Sequence, residues 1–166
     1  MNRPALSFFA VLATTLGVAA GPATPRASGD PRLSQCERKM IRIVNAFRSQ
    51  YGLGRLRPSH ALNRAAERHS GDMLARNFFA HPSSDGTASY RRVRRYANAN
   101  SVGETLAALV RRPGIEYRVV RMWMESPPHR AVMLSPRFSR VGLSHRSGML
   151  GGFRMSVVTA DFASRY

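Results

Sequence analysis

The chain has 166 residues, a length that predicts one domain with short extensions. Hydrophobic residues make up 43% of it, which is typical of a globular protein and excludes a largely disordered or many-spanning membrane chain. The formal net charge is +17, and all basic side chains except Lys39 are arginines. This charge favours anionic partners, although arginines spread along the whole chain also fit a simple solvated surface.

The first twenty residues have the layout of a secretory signal peptide. A basic start with Arg3 precedes an uncharged run from residue 5 to residue 20, and small residues end this run before Gly21. The run is shorter than the roughly 20 apolar residues of a membrane span, so a cleaved leader is favoured over an anchor. Residues 21–32 are rich in Pro and Gly and predict a flexible linker, and residues 33–166 are the predicted domain. We expect an exported, monomeric protein without a transmembrane segment in its mature form.

Two amphipathic helices are predicted in the first half of the domain. Apolar residues recur at helical spacing over residues 33–51, and Cys36 lies on this stripe. Cys36 is the chain's one cysteine, so no internal disulfide can form, and its position predicts a buried, inert thiol. Ser59 is the predicted N-cap of a second helix that ends near residue 77. His69 lies on the inner face of that helix, which indicates a packed structural histidine.

Shorter elements are predicted further along the chain. A helix is expected over residues 87–96, and residues 102–110 are either a short strand or irregular. A third long helix is predicted over residues 115–125, because Ser126-Pro127-Pro128 stops it. A short helix over residues 130–134 follows. The residues expected to face inward from the third long helix are Val119, Val120, Met122 and Trp123.

The C-terminal part changes to a period of two. Val141 and Leu143 alternate with small residues, and a second alternating run follows residues 147–152. This pattern predicts an antiparallel hairpin. The apolar positions expected on its second strand are Phe153, Met155 and Val157. Helices first and strands last predict an α+β fold with helices packed on a small sheet.

Few residues are suited to chemistry. The chain has no nucleophile elbow, P-loop, zincin motif, dinucleotide-binding glycine motif or Cys-x-x-Cys pair. His81, Glu104 and His129 remain, and all three fall in loops or at the ends of elements, where sites are often built. Two imidazoles and a carboxylate fit a divalent ion such as Zn²⁺, and they equally fit acid–base work around a bound water. Their spacing does not choose between the two.

An ordered series of short motifs resembles the CAP superfamily, the cysteine-rich secretory, antigen 5 and pathogenesis-related 1 proteins, in its bacterial SCP-domain form. The resemblance runs from about Glu37 to Ala163. It is carried by six stretches: Val44-Asn45-Ala46-Phe47-Arg48, Leu62 to Met73, Phe78-Phe79-Ala80-His81, Val102-Gly103-Glu104-Thr105, Trp123 to Arg130, and Phe138 to Leu143.

This resemblance implies an α-β-α sandwich with a central, mostly antiparallel sheet and a cleft lined by two histidines and two acids. It assigns His81 and His129 as the cleft histidines and Glu104 as one acid, and Glu125 is the nearest candidate for the second. It also implies binding of a divalent metal, with Zn²⁺ favoured and His81, His129 and Glu104 as ligands, or of a small apolar, lipid-like molecule. Thr105 and Pro128 depart from the Asn and Gly of the family pattern.

Four arginines within five residues form a second candidate site. They could contact phosphates or anionic lipid, and a solvated helix face is the alternative. No nucleic-acid-binding motif accompanies them, so no specific nucleic acid is expected. His60 and His145 match no motif and are expected at the surface. The four arginines are Arg91, Arg92, Arg94 and Arg95.

Three functions follow as hypotheses. The first is a secreted binding protein whose cleft holds a divalent ion, a small apolar ligand or both. The second is a hydrolase that uses the same residues, with water as the nucleophile; catalysis is the less favoured of the two because no side-chain nucleophile is identifiable. The third is a cationic protein that binds anionic components of a bacterial envelope through charge.

Overall fold

The computed structural model describes residues 33–166; the predicted signal peptide and linker, residues 1–32, lie outside the described part. Five helices and four strands make up residues 33–166. In chain order they are α1 (Gln35–Gln50), β1 (Arg57–Pro58), α2 (His60–Ala75), α3 (Ser89–Arg94), β2 (Val102–Val110), α4 (Ile115–Glu125), α5 (Pro127–Met133), β3 (Arg140–Leu150) and β4 (Phe153–Ala163).

The four strands form one sheet in the order β1-β3-β4-β2. β4 lies in the middle and pairs antiparallel with both β3 and β2, whereas the two-residue β1 pairs parallel with β3. The predicted hairpin and the mostly antiparallel sheet are confirmed, and residues 102–110 are a strand throughout. β1 was not predicted, because two residues carry no periodicity of their own.

The first two helices begin at side-chain caps, of which the cap at Ser59 was predicted. Ser34 and Glu37 form a reciprocal capping box at the start of α1, and the Ser59 hydroxyl accepts from the backbone amide of Leu62 at the start of α2. α1 also carries an unexpected buried cation: Arg48 is 1% exposed. Its guanidinium donates to four carbonyl oxygens, those of Gly54, Met133, Ser135 and Phe138.

Helix α2 packs on one face of the sheet because a glycine lets it approach. A Cβ added at Gly142 would lie 2.1 Å from the carbonyl carbon of Leu62 and 2.2 Å from the amide nitrogen of Asn63. The Asn63 side chain then accepts from the Leu143 amide at 2.9 Å, which fixes the helix against β3. α2 therefore forms one outer layer of the fold.

The opposite face of the sheet is covered by α1, α4 and α5. Trp123 is 1% exposed, and its indole nitrogen donates to the Leu106 carbonyl of β2 at 2.9 Å. The bounds of α4 match the prediction, but Met122 was wrongly placed inward and is 44% exposed. Met122 lies about 100° around the helix from Trp123, outside the arc that Val119 and Val120 complete. The three layers make the α-β-α sandwich that was predicted.

The C-terminal elements differ in extent from the prediction. α5 begins at Pro127 rather than residue 130, because the first turn of a helix needs no intrahelical amide donors and accepts proline. The hairpin is longer than expected: β3 runs to Leu150, and the turn consists only of Gly151 and Gly152, both at positive φ. Phe153, an apolar position of the predicted second strand, is 69% exposed, since the hairpin tip projects beyond the helical layers.

Two further expectations concern the described residues. Cys36 is half-buried rather than buried, and desolvation together with the nearby Glu116 and Glu37 raises its pKa to about 11, so the thiol stays protonated. Within residues 33–166, no helix has the length and apolar character that crossing a bilayer requires.

Candidate functional site

The three residues singled out from the sequence come from three different elements at one end of the sheet. His81 lies in the loop after α2, Glu104 near the start of β2, and His129 in the first turn of α5. The loop of His81 is anchored to α2, because the Asp72 carboxylate accepts from both the amide and the hydroxyl of Ser84. The contact of Ser84 with Asp72 therefore holds the backbone of the loop that carries His81.

Glu104 is the centre of the cluster. Its side chain is 2% exposed, and its two oxygens have different partners. Oε1 accepts from Nδ1 of His81 at 2.7 Å, and Oε2 accepts from Nη2 of Arg92. A buried carboxylate requires such partners, because an unpaired charge in the interior is costly. Both oxygens are therefore committed to neighbouring side chains.

Arg92 is the positioning partner of this carboxylate and was missed as such. It is 4% exposed, and besides Glu104 it donates to the carbonyl of His81 and the hydroxyl of Ser83, both at 3.0 Å. One guanidinium thus holds both the acid and the loop that carries the histidine. The planar, forked donor set of arginine suits this role.

The predicted arginine cluster is consequently split. Arg92 is buried in the site, whereas Arg94 donates to the carbonyls of Ala99 and Asn100 at 3.2 and 3.1 Å. Arg91 bonds the hydroxyl of Tyr90 at 3.0 Å, and its guanidinium lies 5.8 Å from that ring centroid. Arg95 is exposed and makes only a long contact of 3.4 Å to Thr87. The four side chains do not form one anion-binding face.

His81 and His129 are in contrasting electrostatic environments. The hydrogen bond to Glu104 raises the pKa of His81 against the opposing effect of burial. The pKa of His129 is lowered, first by burial and then by the charge of His81. The His81 side chain is 52% exposed, and within residues 33–166 its Nε2 makes no hydrogen bond. The two imidazoles are thus near one another, and one of them presents a free nitrogen.

Asp161 is a fourth ionisable residue of the site, and the sequence did not point to it. It lies directly opposite Glu104 in the pairing of β2 with β4 and is completely buried. Its side chain faces that of Glu104, and neither of its carboxyl oxygens has a donor among the described residues. Burial, and then the negative charge of Glu104, raises the pKa of Asp161 well above its ordinary value, so its neutral form is favoured.

His69 is packed in the core, as expected, and also borders the site. Its Nε2 lies 2.9 Å from the Ala80 carbonyl, to which it donates, and 4.0 Å from Oε2 of Glu104. Burial lowers its pKa despite the nearby carboxylate. A neutral imidazole therefore closes the inner side of the Glu104 cluster.

Three sequence-predicted positions lie elsewhere. Glu125 is on the outer face of α4, 61% exposed, and its carboxylate pairs with Arg121 one turn earlier at 2.7 Å. Asp161, and not Glu125, is therefore the second acid next to Glu104. His145 was expected at the surface and is half-buried, with Nε2 3.1 Å from the Ser156 hydroxyl across the hairpin. His60 is exposed, as expected.

The donor set fits a metal ion only in part. Within residues 33–166, no group of three His, Cys, Asp or Glu side chains is arranged to hold a metal. Glu104, one of the three expected ligands, has both oxygens engaged by His81 and Arg92. The set of His81, His129 and Glu104 therefore does not fit as three direct ligands. Nε2 of His81 and the imidazole of His129 are the available donors.

A pocket of about 480 Å³ lies between α3, α5 and the first residues of β2, and its lining includes none of His81, Glu104 and His129. Its volume is in the range of small-molecule sites. Its lining includes Val102 and Gly103, which precede Glu104 in the chain. It also includes Ala131 and Val132, which follow His129. The other side chains that give it apolar surface are Tyr90 and Phe138.

Solved structures with this fold come from bacteria and from an animal parasite. An outer surface protein of Borrelia burgdorferi superposes with a TM-score of 0.68 at 18% identity, covering 80% of this chain and 95% of that one. An extracellular SCP-domain protein of Bacillus anthracis gives 0.62 at 24% identity, covering 77% and 40%. Venom allergen-like protein 4 of Schistosoma mansoni gives 0.59 at 13%, covering 80% and 90%. At these identities the likeness shows the fold alone.

Sequence comparison gives the family. The uncharacterized protein YkwD of Bacillus subtilis is 29% identical over 119 residues, which are 71% of this chain and 45% of that protein, so the chain spans less than half of that relative. A family profile described as CAP, the cysteine-rich secretory protein family, matches residues 41–162. The chain therefore belongs to the CAP family.

Proposed function

We propose that this CAP domain is an exported binding protein that holds a small ligand at His81 and His129. The observation that carries the proposal is the fixed imidazole of His81, held at Nδ1 by Glu104 at 2.7 Å while its outer side is half-exposed. A histidine oriented in this way by a carboxylate is typical of metal-binding and acid–base sites. Export is supported by the predicted leader, and two of the similar structures are named as extracellular or outer surface proteins.

A divalent ion is one occupant, with Zn²⁺ or a similar imidazole-preferring metal as the proposed species. His81 and His129 would hold it, and the ion would supply Lewis-acid character to a bound molecule. Glu104 would orient His81 and increase the basicity of its ring, while Arg92 holds Glu104. Among residues 33–166 the donors of the site that solvent reaches are the two imidazoles of His81 and His129, so we expect an exchangeable site of moderate affinity and not a structural zinc site.

A small apolar molecule is the second occupant. The pocket of about 480 Å³ between α3, α5 and β2 offers Val102, Val132, Phe138 and the ring of Tyr90 to a hydrocarbon portion, and Val132 belongs to the same short helix as His129. A ligand with a polar head at His129 and an apolar body in this pocket would use both features.

Calorimetry with Zn²⁺ tests the metal at pH 7.5. His81→Ala and His129→Ala should each abolish measurable binding, and Glu104→Gln should weaken it about tenfold or more, because the ring of His81 loses its carboxylate partner. His60→Ala is the matched control, since it removes an exposed imidazole outside the site. Protons compete for His81, whose pKa is raised, so binding should already fall as the pH drops through that raised value. Equal binding by His81→Ala and the control would remove the metal from the proposal.

A hydrolase is the second candidate function, favoured by the His81–Glu104 pair. A carboxylate on Nδ1 leaves Nε2 to accept a proton from water as the water oxygen attacks a carbonyl carbon. Glu104 would stabilise the imidazolium that forms, and the proton would pass to the leaving group as the intermediate collapses. No covalent enzyme intermediate is needed in this route.

Turnover of a panel of peptides and esters tests this candidate. Activity that follows the deprotonation of His81 and is lost in Glu104→Gln, while Glu125→Gln keeps it, would support hydrolysis. Glu125 is a suitable control because its carboxylate is exposed on α4 and pairs only with Arg121. Absence of turnover across the panel, with Zn²⁺ or ligand binding intact, would leave the binding function alone.

A further inference from the structure

The end of the sheet farthest from Glu104 exposes large apolar side chains that the proposed site does not use. Phe153 is 69% exposed, Met149 55% and Val110 52%. They lie at the tip of the β3–β4 hairpin and at the adjacent end of β2, where Val110 is paired with Met155. Exposed apolar residues are ordinary when scattered, but a group at one end of a sheet marks an interaction surface.

The charged residues of the tip itself are cationic. Arg111 and Arg112 follow directly after β2, Arg154 follows Phe153, and all three are exposed. No Asp or Glu occurs in residues 105–115 or 126–160. The nearby Glu116 is paired with Lys39, and none of the three arginines forms an ion pair with residues 33–166. The three arginines of the tip are therefore free of ion pairs within the described residues, and Glu116 is the one acid that shares a pocket with two of them.

Arg111 and Arg112 also line a pocket of about 650 Å³ beside α1, whereas the end of the hairpin itself fits a broad partner better than a small molecule. A hairpin closed by Gly151 and Gly152 is convex, whereas small ligands are held in concave pockets. Phe and Met among arginines is the composition of elements that lie in the boundary region of a bilayer. There the apolar groups enter the acyl boundary, and arginines contact lipid phosphates.

We infer that the hairpin tip, defined as Val110, Arg111, Arg112, Met149, Phe153 and Arg154, docks on an anionic lipid surface. Val110 lies at the end of β2 opposite to Glu104, at a distance of roughly 20 Å along the strand. A domain held by its tip would keep His81 and His129 in water, facing away from the lipid. α1 starts at the same end, because Ser34 lines one pocket with Arg111 and Arg112.

The arginines of the tip are not those of the cluster that was predicted from the sequence. In that cluster Arg92 is buried and Arg94 bonds backbone carbonyls, so two of its four charges are already used within the domain. At the tip the charges are unpaired and accompany apolar groups. The cluster has one exposed aromatic residue, Tyr90, already covered by Arg91 and Arg94, whereas three exposed apolar side chains accompany the arginines of the tip.

Vesicle co-sedimentation of the purified secreted protein, without the predicted leader over residues 1–20, tests the docking surface. The vesicles contain either phosphatidylcholine alone or equal parts of phosphatidylcholine and phosphatidylglycerol. We expect binding to the anionic vesicles only. Arg111→Gln combined with Arg154→Gln should reduce the partition coefficient about 25-fold, because each arginine at the surface contributes about fivefold. The matched control, Arg91→Gln with Arg95→Gln, removes the same charge and should change it less than about threefold, since distant charges are screened.

A second pair of variants isolates the apolar contribution. Met149→Ser with Phe153→Ser should lower binding about tenfold or more without a change in the melting temperature, because both side chains are solvent-exposed in the free protein. Tyr51→Ser, at an exposed aromatic residue after α1, is the control and should leave binding unchanged.

Three outcomes would overturn the inference. Equal losses in the tip and control arginine pairs would mean that total charge, not the tip, attracts the vesicles. Equal binding to vesicles of phosphatidylcholine alone would exclude an anionic partner. Absence of vesicle binding, together with a dimer in sedimentation velocity that Phe153→Ser dissociates, would assign the tip to a second copy of the chain.

Discussion

The two ends of the sheet use the same residue type in opposite ways. At the end with Glu104, Arg92 is 4% exposed and its guanidinium is consumed by a carboxylate, a carbonyl and a hydroxyl. At the hairpin tip, Arg154 is exposed and has no acidic neighbour in residues 126–160. The first arginine holds a site together, and the second is available to a partner.

The aromatic and acidic residues of the sheet also differ between a buried and an exposed end. β4 begins with Phe153 in solvent and ends with Phe162 fully buried. All acids of the sheet lie at the buried end, where Glu104 and Asp161 are paired across β2 and β4. Net charge alone is therefore a poor guide to function in this chain, because burial decides which charges remain free. The contrast is directly testable by matched substitutions at the two ends.

The largest difference in stability should be the one between substitutions of the two phenylalanines of β4. Phe162→Ala should lower the free energy of unfolding by about 3–5 kcal/mol, because it removes a fully buried ring that packs against Phe138. Phe153→Ala should change it by less than about 0.5 kcal/mol. Urea denaturation followed by tryptophan fluorescence measures both, since Trp123 is buried in the core. Similar losses in the two variants would mean that the hairpin tip is packed in solution.

Substitution of the two arginines should give a smaller difference in the free energy of unfolding, and the buried arginine should again be the costlier one to replace. Arg92→Lys keeps the charge and loses the forked donor geometry toward Glu104, His81 and Ser83, so it should cost about 1.5–3 kcal/mol. Arg154→Lys should leave stability unchanged. Denaturation gives the stability, and NMR titration of His81 adds a readout specific to the site. A looser Glu104 should move the pKa of His81 back toward its ordinary value in Arg92→Lys, and an unmoved pKa would contradict the positioning role.

Much of the fold was predictable because its signals are local. The N-cap at Ser59, the bounds of α4 and the alternation at Val141 each depend on a few neighbouring residues. What could not be predicted depends on contacts between distant segments. β1 exists only because Arg57 and Pro58 meet β3, and Gly142 is required only because α2 crosses it.

The site divides in the same way. The motifs around His81, Glu104 and His129 identified those residues, whereas Arg92 was hidden among exposed arginines and Asp161 in a strand. Asp161 had one usable signal: it is the lone charge in the apolar run Val157-Val158-Thr159-Ala160-Asp161-Phe162-Ala163. A charge inside a buried strand is costly and therefore suggests a role, but its pairing with Glu104 needs the register of β2 on β4. Glu125, chosen by nearness to a motif, turned out to lie on the outer face of α4.

The smallest predicted effect concerns Asp161, where the buried end of the sheet retains an uncompensated group. Its pKa is raised in the folded state, so between the ordinary aspartate pKa and the raised value the unfolded chain has lost a proton that the folded chain keeps. Stability therefore falls as the pH rises through this window. Asp161→Asn removes the titration and keeps the shape, so the variant should melt a few degrees higher than the parent at pH 7. The gain should shrink as the pH falls to about 3, below the ordinary aspartate pKa, where the parent's Asp161 is protonated in both states. Scanning calorimetry across this pH range measures the difference in melting temperature between the variant and the parent. A difference that does not change with pH would show that Asp161 is not the titrating group.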